Sequence, residues 1–408
     1  MRYFVLILAL VVELGVLAGM FALLAGQSAA SAEAVTLGTA LTVFLVCLSW
    51  NLQVLVHETG HLIAGLRAGL EFKTLAVGPV EASRVDGKIR WHLSNRSLIA
   101  GFVLMTPKGK PDLPRWMWMV AGGPIASLAF SGLLLAALYG AGGSLAQTNG
   151  LAMDVLRYSC YLSGPVLFAT LVPYQLRTGH RTDMSTLLRL SRGGRERELA
   201  LNQLILAREI FGGLRARDWT AEAIDRQLEL AETTSDRSTA QLLAYYHAFD
   251  LGRIAEAQRH IRAGVMLVPD LAELNAIRSA VNLEGAVMAA WVDDDPVEAT
   301  QLVQAASDKI ETHAFLRHLA QASIAGARGQ LPEALALLDR AALELGKLAR
   351  RSHGNLDFDY ERISAMRSAF QSGIGSAAAE MAHLDTDNRF AQALALYKSL
   401  HPPVEASK

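Results

Sequence analysis

Residues 54–66 read VLVHETGHLIAGL, two histidines and a glutamate inside an otherwise apolar stretch. His57, Glu58 and His61 form the pattern H-E-x-x-H. At 3.6 residues per turn, imidazoles four apart share one helical face and can bind one zinc ion. The glutamate beside them is placed to take a proton from water. Residues 36–56, TLGTALTVFLVCLSWNLQVLV, carry no charged side chain. The fold therefore turns on whether a zinc motif can sit at the end of a helix that crosses a bilayer.

Composition sets the outer bounds. The chain has 408 residues, 51% of them hydrophobic and only 19% charged, with a mean hydropathy of +0.25. That is too apolar for an ordinary soluble protein and too charged for a bundle lying wholly in lipid, so a membrane part joined to a soluble part is expected. A net charge of −1 gives no basis for a nucleic-acid partner. Cys47 and Cys160 lie in apolar runs without C-x-x-C spacing and read as buried thiols.

Crossing the hydrocarbon core takes about 20 helical residues. Four windows are long enough: 3–26, 35–66 (which includes the metal motif), 116–140 and 154–176. The first reads as a retained anchor, because its apolar run exceeds the roughly 7–15 residues of a signal peptide's core. Residues 27–34 and 141–150 contain no Lys or Arg. Nine of these residues, from Arg67 to Arg115, lie between windows two and three, and Arg177, Arg181, Arg189 and Arg192 follow window four. The positive-inside rule then puts both termini in the cytoplasm.

Residues 72–105 change to a β pattern, with Asp86-Gly87 as a hairpin turn, and read as a small cytoplasmic β element. This completes a membrane domain of residues 1–194. From 195 to 408 the pattern is soluble and all-helical. Glu-Ala pairs at 256–257, 298–299 and 333–334 each open an amphipathic helix after a turn, at a loose period that resembles tetratricopeptide repeats. An irregular helical bundle is the competing arrangement. RFAQALALYKSL (389–400) reads as a capping helix.

The topology brings further segments to the depth of His57. Gly122-Gly123-Pro124 begins the third membrane helix, and Pro173 to Asp183 follows the fourth. The glycines also suit tight helix packing. A catalytic zinc usually has three protein ligands plus water, and past helix four Asp183 and His180 are both candidates for the third.

Over residues 36–190 this order resembles the site-2 protease family of intramembrane zinc metalloproteases. The resemblance implies Zn2+ held by His57, His61 and Asp183, with Glu58 as the catalytic acid/base. It implies hydrolysis of a peptide bond in a transmembrane protein near the cytoplasmic side, as in regulated intramembrane proteolysis, and it suggests a bacterial inner (plasma) membrane. Gly122, Gly123, Pro124, Ser127, Thr170 and Pro173 fall in the family's motifs as substrate-binding or core-packing positions. Ser127 and Thr170 stand where the family has asparagine, and Met184 follows Asp183 in place of glycine. The β element resembles the family's re-entrant hairpin, whose edge can align an unwound substrate. The expected partners are a transmembrane protein substrate, membrane lipid, and a protein or peptide on the C-terminal helices. The alternative is a catalytically silent scaffold that recruits partners through those helices. An inactive member would have no chemical need for Glu58.

Overall fold

Helix α1 (Ala32–Arg67) runs unbroken through the metal motif in the computed structural model, which describes residues 32–85, 87–93, 101–140, 151–174, 181–272, 276–307, 313–349 and 354–376. The first apolar window, Asp86, loop 141–150, His180 and segment 389–400 lie outside these residues. Among the described residues, two helices are long and apolar enough to cross a membrane: α1 over Leu41–Arg67, and α2 (Leu113–Gly140).

The two cross backbone to backbone. A Cβ on Gly60 would lie 2.4 Å from the carbonyl oxygen of Gly122, and one on Gly122 would lie 2.4 Å from that of Gly60. Ala64 and Ala126, four residues further along each helix, extend the contact with small side chains. Helix α3 (Leu151–Leu171) packs on both. It is tied to α1 by Gln53 Nε2, which donates to the Ser159 carbonyl at 2.8 Å, and by Ser49 Oγ, 3.5 Å from the Val155 carbonyl. This helix ends at Leu171, short of the expected 176, because Pro173 disfavours α conformation in the residue before it. Phe44, Leu48, Leu133 and Leu135 point outward, 46–67% exposed, as residues facing lipid do. Cys47 is exposed as well and Cys160 is half-buried, so neither is the core thiol expected. On a membrane helix an apolar position can face lipid as readily as protein.

The β element is one antiparallel sheet of β1 (Leu70–Val77), β2 (Val80–Val85), β3 (Lys88–Leu93) and β4 (Gly101–Pro107). It extends two residues beyond the 72–105 read from sequence at each end, in the order β3-β2-β1-β4. Val85 pairs with Lys88, and Gly87 takes φ 73°. The sheet docks on the helices through β1 and β4. Met105 packs with Leu70, Met119 and Val120, all 2–6% exposed.

Helices α4 (Asp183–Arg192) and α5 (Gly194–Phe211) follow. Leu190 of α4 is buried between Leu113 of α2 and Leu204 of α5, so α4 is wedged between the membrane helices and the C-terminal part. The latter continues with α6 (Ala221–Leu230), α7 (Thr234–Asp250), α8 (Ile254–Leu267), α9 (Ala276–Trp291), α10 (Pro296–Ala305), α11 (Ala314–Ala327), α12 (Leu331–Ala349) and α13 (Asp357–Gln371). The turns after α7, α9 and α11 take positive φ at Gly252, Asp294 and Gly329. The alanines of the three Glu-Ala pairs, Ala257, Ala299 and Ala334, are fully buried.

Helix α13 is fastened by a buried ion pair. Arg362 Nη1 and Nη2 reach Glu284 Oε2 and Oε1 at 2.7 and 3.0 Å, with Glu284 fully buried on α9. The hydroxyls of Tyr245 and Tyr246 donate to the same carboxylate at 2.8 and 2.9 Å. The Phe358 ring lies 4.6 Å from the guanidinium carbon. Breaking such a pair from one side costs about 3–5 kcal/mol, because the remaining charge stays buried. Arg362→Met should therefore make the chain after residue 194 markedly more sensitive to limited proteolysis, with metal content unchanged. Wild-type protease resistance would show that the pair does not hold α13.

Candidate metal centre

The depth inferred from Lys and Arg placement brings three side chains toward one point, and the coordinates give their geometry. His57 and His61 project from the same face of α1, and Asp183 is the first residue of α4. His57 Nε2 and His61 Nε2 are 3.1 Å apart. Asp183 Oδ2 lies 3.0 Å from the first and 3.5 Å from the second. Among the described residues this is the group of His, Cys, Asp and Glu side chains that could hold a metal ion.

The outer nitrogens settle which atoms are free to ligate. His61 Nδ1 is 2.8 Å from the Met119 carbonyl, which can only accept, so Nδ1 carries the proton. The amide of Gly123 is also 3.3 Å from that nitrogen. A protonated Nδ1 cannot accept from it, and the shorter contact decides. His57 Nδ1 is 2.9 Å from Ser127 Oγ, a hydroxyl that can accept a hydrogen bond from Nδ1–H. Both Nε2 atoms are then bare lone pairs facing each other and a carboxylate, an arrangement that calls for a cation between them. Zinc bonds to nitrogen and oxygen of about 2.0–2.2 Å in a tetrahedron put ligand atoms about 3.3 Å apart. The observed 3.0, 3.1 and 3.5 Å suit that face, and the donor set fits the ion.

The surroundings hold the rings in place. A Cβ on Gly123 would lie 2.3 Å from His61 Nε2 and 2.7 Å from His57 Cε1, so only glycine leaves room for the pair. Met119, Gly123 and Ser127 are spaced four apart on α2 and form one face toward the histidines. Glu58 is buried beside the ligands, and a Cβ on Gly101 of β4 would come within 2.8 Å of its Cγ.

Asp183 is delivered by a residue that the sequence motifs did not single out. Thr182 Oγ1 donates to the Val172 carbonyl at 2.9 Å, and the Thr182 amide bonds the Tyr174 carbonyl at 3.2 Å. Its hydroxyl also caps α4 by accepting from the Ser185 amide. The exit of α3 and the entry of α4 are thus tied at one residue. Thr170 bonds back to the Leu167 carbonyl and Pro173 is exposed. Neither hydrogen-bonds to the histidines among the described residues.

Residues 42–382 match peptidase family M50. The chain belongs to peptidase family M50. The match covers the metal cluster, the sheet and most of the C-terminal helices. M50 members are intramembrane metalloproteases, in general zinc-dependent, so both the apolar helices and the cluster have a family context. No curated protein and no solved structure matches the chain.

Partners that hold metal-ligating histidines typically contribute 10–100-fold in metal affinity. Ser127→Ala should weaken zinc binding by about that factor in competition with a chelator. Gly123→Ala should lose most of the bound metal at unchanged helix content. Wild-type affinity in both variants would refute the assigned contacts.

Proposed function

We propose that the chain is a zinc-dependent intramembrane endopeptidase that cuts a transmembrane protein near the cytoplasmic side. In this reading His57, His61 and Asp183 hold the metal and Glu58 is the acid/base. The convergence of two bare imidazole nitrogens and a carboxylate beside a buried glutamate carries the proposal, and membership of the M50 family supports it.

Zinc, when bound, supplies Lewis acidity that lowers the pKa of an attached water toward about 7 and polarises the scissile carbonyl. The rest falls to the protein. Ser127 and the Met119 carbonyl fix both ring orientations, so the two Nε2 atoms stay directed inward without reorganisation. Asp183 balances part of the metal's charge. Glu58 takes the proton from the attacking water and returns it to the leaving amide nitrogen. Burial of Glu58 keeps bulk water from competing for that proton.

A helical substrate hides its peptide bonds inside its own hydrogen-bond ladder, so it must unwind before attack. Among the described residues β4 ends the sheet with one edge unpaired by a strand, and its first residue, Gly101, lies against Glu58. A substrate strand added along that edge would run past the acid/base. Both termini on the cytoplasmic side would place the basic segments, the sheet and the C-terminal helices with the cluster. The C-terminal helices would then be free to engage a peptide or protein partner.

Glu58→Gln should abolish cleavage, a loss of at least about 10²-fold for removing a general acid/base, while zinc stays near one ion per chain. Loss of zinc in this variant would turn Glu58 into a structural residue. Asp183→Ala should lose both metal and cleavage, and His180→Ala should keep both. The reverse pattern would move the third ligand to His180. Substrates should appear as membrane fragments that accumulate in cells carrying Glu58→Gln.

A further inference from the structure

The contact between α1 and α2 makes a second feature, about a quarter turn around each helix from the metal ligands. Gly60 and Ala64 on α1, with Gly122, Ala126 and Ala129 on α2, have too little side chain to fill the angle between the helices. They leave an open groove of about 720 Å³. Its walls are Ile63, Ile125 and Trp118, 47%, 52% and 66% exposed. At its inner end stand Arg67, the last residue of α1, and Arg115, in the first turn of α2.

These two arginines distinguish the groove from an ordinary lipid-facing surface. Arg67 is exposed and has no ion pair among the described residues. Arg115 Nε lies 3.1 Å from Asp112, but both side chains are largely exposed, and such pairs are weak in water. Nη1 of Arg115 lies 3.5 Å from where a Cβ on Gly69 would sit, at the groove's rim. From Arg115 to Ala129 is about 21 Å of helix, enough to run from the headgroup level through one leaflet's hydrocarbon of about 15 Å. Trp118, one turn into α2, sits where interfacial aromatic residues are enriched.

We propose that this groove binds one anionic phospholipid, its phosphate between Arg67 and Arg115 and an acyl chain along the glycine–alanine floor. Two guanidiniums at headgroup depth call for an anion. The floor is a trench between touching backbones, which an acyl chain can fill. A transmembrane helix about 10 Å across would rest on Ile63 and Ile125 and leave the floor empty. The bound lipid braces the α1–α2 crossing from the bilayer side. The inference rests on the membrane placement of these helices and is independent of the catalytic assignment.

The test uses the full-length chain, delipidated in detergent, titrated with phosphatidylglycerol or phosphatidylcholine of identical acyl chains and read by native mass spectrometry. One phosphatidylglycerol per chain should bind about thirtyfold more tightly than phosphatidylcholine, as expected for two basic residues at the headgroup. Arg67→Gln with Arg115→Gln should erase that preference. Ala129→Phe, which fills the trench from an exposed position, should weaken both lipids and keep the preference. Zinc content and melting temperature serve as fold controls for the variants. Equal binding of the two lipids to the wild-type chain, or an undiminished preference in the double variant, would overturn the proposal. So would displacement of the bound lipid by a neutral single-span peptide in preference to phosphatidylglycerol. Flotation with phosphatidylcholine liposomes tests the membrane placement separately.

Discussion

The contact of Gly60 with Gly122 sets the separation of α1 and α2, and the remaining geometry of the site follows from that distance. Helices with ordinary side chains at their crossing stand 8–10 Å apart. Here each glycine would drive a Cβ into the other's carbonyl, so the backbones meet. The next residue, Gly123, then lies against both imidazoles, and one turn to either side Met119 and Ser127 reach the outer ring nitrogens. A packing constraint thereby becomes a chemical one. The spacing that lets two helices touch also selects the tautomer in which both Nε2 atoms can ligate.

The third group comes from further along the chain and needs its own support. Thr182 ties the end of α3 to the start of α4, so Asp183 enters the cluster from a closed neck. Leu190, two turns on, is held between Leu113 of α2 and Leu204 of α5. The C-terminal helices thus support the helix that carries the carboxylate. Helix α13 in turn is fastened to α9 by a pair whose carboxylate is wholly buried.

Polar groups at membrane depth are expensive unless paired, and the pairings are visible here. Gln53, one turn before His57 on the same face of α1, bonds the Ser159 carbonyl. Each histidine has a hydrogen-bond partner on α2. The lone pairs at the centre of the cluster are a further need, which a cation would meet. The M50 family to which the chain belongs is built around such an ion.

Local pattern alone determined the two long apolar helices, the β character of the segment between them, the glycine conformation at Gly87 between β2 and β3, and the positions of His57, Glu58 and His61. Each of these depends on short-range periodicity or on spacing within one helix, which a linear chain carries openly. The end of α3 was also available locally, because Pro173 limits the residue before it; the longer reading to 176 followed hydropathy instead. Tertiary structure decided the rest. That Gly60 is the partner of Gly122, that Ser127 reaches His57, and that Thr182 positions Asp183 all depend on helix separation and on contacts between residues 10 to 70 positions apart. No periodicity encodes such pairings. The exposure of Cys47 was decided in the same way, since an apolar run does not say which of its faces meets protein and which meets lipid.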